Sequence, residues 1–211
     1  MRRHSLLVLI AALAIPLPGT VLAGQSAEPQ IKPLVTPMNP AKETVLIGRA
    51  SAGDMIIQLE LEPSKAMWMA MTASVQIEMD NSKGRWVVLT TPAKWAEHAI
   101  EKGELYHVEV KPIDPRSKTR IPYAEVKFKA VNKDTGKSVE DRLHPMWGGS
   151  GLHYAFNSGL AGDGTYEATV TVGVPTFARG LDDKRWMEPA TGKFHFKLLD
   201  GKLVEVSKPS T

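Results

Sequence analysis

No cysteine occurs in the 211 residues, and that absence excludes several things at once. Without a thiol no disulfide can staple the fold, so a packed core has to hold it alone. A lipoprotein-type acyl anchor is excluded too, because it needs a cysteine just after the cleavage point. A strong charge of one sign is also missing: 26 Lys and Arg stand against 23 Asp and Glu, and Arg2 and Arg3 supply two units of the net +3. With no dense basic run, nucleic acid is not an expected partner. Long apolar runs are scarce as well. The one at Leu6 to Pro16 falls well short of the ~20 residues a bilayer-spanning helix requires, so membrane insertion of the mature chain is not expected.

That apolar run follows a basic patch of Arg2, Arg3 and His4 and leads into Val21-Leu22-Ala23, small at the positions read by signal peptidase. Residues 1–23 therefore read as a cleaved signal peptide of an exported bacterial protein, with the periplasm as its compartment. Residues 24–41 carry Pro29, Pro33, Pro37 and Pro40 among small polar residues and read as a flexible leader. The folded domain is assigned to residues 42–206.

Within it the strand-like runs are Met55 to Leu61, Thr72 to Met79, Trp86 to Leu89, Tyr106 to Val110, Tyr123 to Val131, Tyr166 to Val172 and Phe194 to Leu199. Asp134-Thr135-Gly136, Asp163-Gly164 and Asp200-Gly201 supply turn chemistry between them. One helix is predicted from Thr91, as N-cap, through Pro92 to Gly103. Short, evenly spaced strands with a single helical interruption predict an all-β fold, an immunoglobulin-like sandwich of antiparallel strands with one short helix.

Candidate chemistry concentrates in two places. In Tyr106-His107-Val108-Glu109-Val110, strand alternation sends His107 and Glu109 to one face, an imidazole beside a carboxylate. In His144-Pro145-Met146-Trp147-Gly148-Gly149-Ser150-Gly151-Leu152-His153-Tyr154, the glycine-rich centre lets the chain turn back and bring Met146 toward His153. Two imidazoles, one carboxylate and one thioether form a donor set suited to copper in either oxidation state and poorly suited to magnesium or calcium. Met67, Met69 and Met71 alternate around Trp68 and read as core packing rather than as a soft-metal track. A blue-copper site needs a cysteine thiolate, and a copper brace needs histidine at the cut, where Gly24 stands. No Gly-x-Ser-x-Gly elbow is present, and the chain does not read as an enzyme.

Ile121-Pro122-Tyr123, Val131-Asn132-Lys133-Asp134-Thr135-Gly136, Pro145-Met146, Gly151-Leu152-His153-Tyr154 and the later Lys184-Arg185-Trp186 with Pro189 resemble the periplasmic metal-binding proteins that accompany bacterial ferrous-iron permeases. The likeness runs from about Tyr106 to Phe196. It implies an immunoglobulin-like homodimer that binds copper, with iron as a second candidate, and supports iron uptake by an inner-membrane permease. By resemblance His107, Glu109, Met146 and His153 are the ligands. The family's later histidine is absent: Val174 to Trp186 contains none and offers only Asp182 and Asp183 as potential ligands, so the site is either incomplete or completed by His144 as a substitute. The segment from 42 to 103 is also longer than the resemblance predicts. The rival reading is a sandwich-type binding or assembly module whose His and Met residues are structural; convergence of the four side chains separates the two.

The signal reading predicts that N-terminal sequencing of periplasmic material begins at Gly24; Met1 at the N-terminus would refute it.

Overall fold

A computed structural model describes residues 24–25, 28–70, 74–80, 84–90 and 95–208. The assigned signal peptide, 1–23, lies outside them. The early strands are β1 (Gly24–Gln25), β2 (Ile31–Met38), β3 (Val45–Ala52), β4 (Met55–Pro63), β5 (Met67–Ala70), β6 (Ser74–Asp80), β7 (Gly84–Thr90) and β8 (Trp95–His98). They are followed by β9 (Tyr106–Ile113), β10 (Val126–Asn132), β11 (Ser138–Gly148), β12 (Gly151–Ser158), β13 (Gly164–Val172), β14 (Ala190–Leu199) and β15 (Lys202–Ser207). The fold is all-β, and the described residues contain no helix.

The helix predicted over Thr91 to Gly103 is a correction. Trp95–His98 is a strand laid antiparallel on β5, with Met67 opposite His98 and Ala70 opposite Trp95; Thr91 and Pro92 lie outside the described residues. Local capping signals lost to a partner strand, since pairing and packing override a propensity difference of a few tenths of a kcal/mol per residue. The strand expected from Tyr123 starts only at Val126, because Tyr123 is exposed with φ 57° and turns the chain first.

The main sheet runs in the order β2-β15-β14-β13-β10-β11-β12-β9-β4-β3, with β1 parallel on the start of β14. Ile31–Met38, inside the proline-rich 24–41 stretch, is its edge strand on β15, a position where Pro33 and Pro37 leave no inner ladder short of a donor. β11 changes partner midway: Ser138 to Leu143 pair with β10, and His144 to Gly148 pair with β12. The sheet thereby folds over on itself into a nearly closed, barrel-like sandwich. Asp200 and Gly201, at φ 52° and 67°, join β14 to β15 with the two left-handed residues of a primed hairpin turn.

Period-2 alternation fills the interior with Ile57, Leu59 and Leu61, Val108 and Val110, Phe128, Phe194 and Phe196, all essentially inaccessible to water. Tyr166 stacks on Phe196 at 4.7 Å between ring centroids. Closure depends on two glycines. A Cβ on Gly48 of β3 would stand 2.8 Å from Ser207 Cβ, and one on Gly192 of β14 would stand 3.2 Å from Ala50 Cβ. Ser207 cannot easily yield, because its hydroxyl accepts from His195 N at 2.6 Å and donates to His195 O at 3.2 Å.

Gly48→Ala is therefore expected to cost about 1–3 kcal/mol, the range for overpacking a filled core. Urea unfolding monitored by tryptophan fluorescence measures it; an unchanged midpoint would show that the seam is slack.

Candidate metal centre

Every residue of β9 is buried, on both of its faces. Val108 and Val110 face the apolar interior, and alternation then sends His107, Glu109 and Lys111 to the opposite side. Directly paired residues of neighbouring strands share a face. On one flank Glu62, Glu60 and Gln58 of β4 stand opposite His107, Glu109 and Lys111. On the other, Asn157 and Ala155 of β12 stand opposite His107 and Glu109. The β11–β12 hairpin adds Met146 opposite His153 and His144 opposite Ala155. Gly151, at φ 81°, closes that hairpin, and Gly148 has to stay small because a Cβ there would press to 3.2 Å on His153 Cε1.

One donor atom from each of His107, Glu109 and His153 lies within 4.8 Å of the others, and all three residues are buried. The two imidazoles meet edge to face at 6.1 Å between centroids. His107 Nδ1 is 2.8 Å from Asn157 Oδ1. A carboxamide oxygen only accepts, so Nδ1 carries the proton and Nε2 is left with its lone pair. That Nε2 is buried and without a hydrogen-bond partner. His153 is held in the same tautomer, its Nδ1 donating to the Gly151 carbonyl at 2.9 Å.

Glu109 accepts from the Ser150 hydroxyl at 2.8 Å and pairs with Lys111 Nζ at 2.6 Å. Lys111 also pairs with Glu60, which accepts from Gln58 Nε2 at 2.5 Å, and Gln58 Oε1 accepts from Arg49 Nε at 2.6 Å. Glu62 takes the Thr44 hydroxyl at 3.1 Å and the Lys65 ammonium. Burial alone would raise the Glu109 carboxyl, but the hydrogen bonds it accepts from Lys111 and Ser150 help to outweigh it and bring it down to about 2. Burial would likewise lower the Lys111 ammonium, yet Glu109 and Glu60 hold it above its ordinary value. For His107 burial prevails over the Asn157 hydrogen bond and lowers the imidazole, keeping it neutral.

This donor set fits a borderline metal ion. Two imidazoles and an ionised carboxylate converge, and an orphaned buried lone pair is costly unless something occupies it. Of the four ligands named by the sequence, His107, Glu109 and His153 share one cluster, and Met146 lies half-buried on the same face opposite His153. His144 is outside the cluster, exposed and facing a separate cavity. The loop that would replace the missing histidine is engaged elsewhere: Asp183 is paired with Arg185, and Arg179 donates to the Arg185 and Trp186 carbonyls. Asn157, Ser150, Lys111 and the β4 carboxyl groups escaped the sequence reading. Continuing the His107-x-Glu109 alternation would have reached Lys111.

Residues 106–199 match the family model of the Fe2+ transport protein. That bears out the resemblance read from Tyr106 onward, and the matched segment contains all four named ligands. Among solved structures, FetP of a uropathogenic Escherichia coli strain is 21% identical, with 74% of this chain and 97% of that one covered at a TM-score of 0.50. A copper-bound variant of the same protein is 20% identical, with coverage of 75% and 94% at 0.50. Copper-reconstituted P19 of Campylobacter jejuni is also 20% identical, with coverage of 80% and 100% at 0.50. At these identities the likeness is one of fold. No curated protein matches the chain at a significant level.

A lowered His107 means that the unfolded chain binds the extra proton first, so its contribution to stability is complete above the unfolded value near ~6.5 and is lost as pH falls below it. Glu109 keeps its contribution until pH drops through the unfolded carboxylate value near ~4.3. Between pH 7 and 5 the urea midpoint of the metal-free protein should therefore fall, and His107→Gln should fall less. Parallel pH curves for the two proteins would contradict the assignment.

Proposed function

We propose that the protein is a periplasmic copper-binding protein, on an immunoglobulin-like sandwich, that supports iron uptake by an inner-membrane permease. The observation that carries this is the buried convergence of His107, Glu109 and His153 around an unpaired Nε2. His107 and His153 supply nitrogen, Glu109 a charged oxygen, and Met146 a soft sulfur from across the hairpin. The mixture is one that copper accepts in both oxidation states, and iron is a second candidate. Copper-bound relatives of the same fold and the Fe2+ transport match support the reading.

Charge supports it as well. The buried polar face holds three carboxyl groups, Glu60, Glu62 and Glu109, against the single buried ammonium of Lys111, while Arg49 and Lys65 stand exposed at its rim. Such an excess of carboxyl groups favours a cation and disfavours anionic cargo. A homodimer, export through the cleaved signal and a role in binding rather than catalysis belong to the same proposal. No helix among the described residues is long and apolar enough to cross a membrane.

Copper titration of the mature protein tests it. His107→Ala and His153→Ala should each weaken Cu(II) binding by more than tenfold. Glu109→Gln keeps the shape but loses the charge and should also act mainly on Cu(II), whereas Met146→Leu should penalise Cu(I) more than Cu(II). Wild-type affinity in all four variants, in both oxidation states, would return the chain to the rival reading of a non-metal module.

A further inference from the structure

Met67 and Met69 are not absorbed into the core. Both are half-buried, and neither joins the packed interior cluster; Met71 lies outside the described residues. The ribbon of β5 and β8 sets Met67 opposite His98 and Met69 opposite Ala96, while Trp68 points the other way and is 68% exposed. The Met67, Met69 and His98 side of this ribbon lines a cavity of about 610 Å³, whose far wall includes His144 and Asn157. Two thioethers and two imidazoles therefore face one space. Glu97, Glu104 and Asp141 also line it, and no lysine or arginine does among the described residues.

We propose that this cavity is a second metal site, one that takes Cu(I). Thioether sulfur selects a soft monovalent ion over harder cations, and imidazole tolerates it. Met67 and His98 are cross-strand neighbours, with Cβ atoms about 5 Å apart in such pairs, so both donors reach one ion. Met69, one pleat further along the same face, has the flexible side chain needed to close on it. Core packing, the ordinary use of a methionine stripe, would have buried these side chains against apolar partners; here they border open space lined by three carboxyl groups.

The second site shares a wall with the first. Asn157 accepts from His107 Nδ1 at 2.8 Å, and the same carboxamide donates to the Lys65 carbonyl at 2.9 Å, two residues before Met67. It also reaches Glu104 Oε2 at 3.3 Å, and Glu104 Oε1 lies 3.7 Å from His98 Nε2. One side chain thus positions an imidazole of the first centre and the start of the strand that carries the second.

The test is anaerobic Cu(I) titration of the mature protein against a chromophoric Cu(I) chelator. Wild type should hold two equivalents. Met67→Leu/Met69→Leu conserves volume; with folding checked by circular dichroism, it should hold one and keep the wild-type Cu(II) spectrum. In His107→Ala/His153→Ala, one Cu(I) equivalent should remain, with sulfur neighbours in X-ray absorption that disappear when Met67 and Met69 are also replaced. Uptake of a single equivalent by wild type, two equivalents in the Met67/Met69 variant, or none in the His107/His153 variant would overturn the second site. Loss of Cu(II) binding is scored separately, so failure of the first centre and failure of the second are distinguishable.

Discussion

Burial of β9 on both faces is the constraint from which the rest of the molecule follows. One face is apolar and packs into the sandwich. The other carries His107, Glu109 and Lys111 with little or no water to solvate them, so their polar atoms must find partners within the protein. The neighbouring strands and the hairpin supply those partners: Glu60, diagonally across from it, for Lys111, Asn157 for His107, and Ser150 from the hairpin tip for Glu109. Among the described residues, the fully buried side-chain polar atom left over after this matching is His107 Nε2. In a face so completely paired, one unpaired donor atom beside a second imidazole and a carboxylate is most economically explained by an ion.

Glu109 links this leftover to electrostatics. Its carboxylate is already matched by Lys111, so an incoming cation does not meet a bare charge. Lys111 in turn is shared with Glu60, and Glu60 is braced by Gln58, which itself accepts from Arg49. When a cation takes up Glu109, Lys111 can lean on Glu60 without leaving the buried face. A network of this kind lets a site change its charge while the strands around it keep their register, because the Lys111 ammonium has a second acceptor on the neighbouring strand.

How much of this the sequence displayed varies from residue to residue. His107 and Glu109 were legible because strand period alone places them on one face, and Met146 and His153 because glycines around Ser150 permit a tight reversal. Asn157 and Ser150 were not, since a lone polar residue on a strand or in a turn has no local signature that tells a ligand's partner from a solvated side chain. Nothing in the sequence marks the Gln58-Glu60-Glu62 row as dry, yet all three residues are buried. Exposure is set by tertiary packing, which alternation does not encode. The same limit produced the predicted helix near Trp95: capping chemistry is local, whereas the ladder with Met67–Ala70 joins residues far apart along the chain.

The matched segment 106–199 holds His107, Glu109, Met146 and His153, yet much of what sets their surroundings lies before it. Gln58, Glu60 and Glu62 come from β4, and the half-buried methionines face the cavity from β5. A donor set determines which metals can bind, while the charge and softness of the surrounding wall determine which are favoured and how they arrive. The matched segment thus carries the clustered donor side chains, and the strands before it supply the carboxyl groups around them. Asn157 is one of the places where the two halves touch: it belongs to the matched segment, hydrogen-bonds its first histidine, and grips the backbone at Lys65.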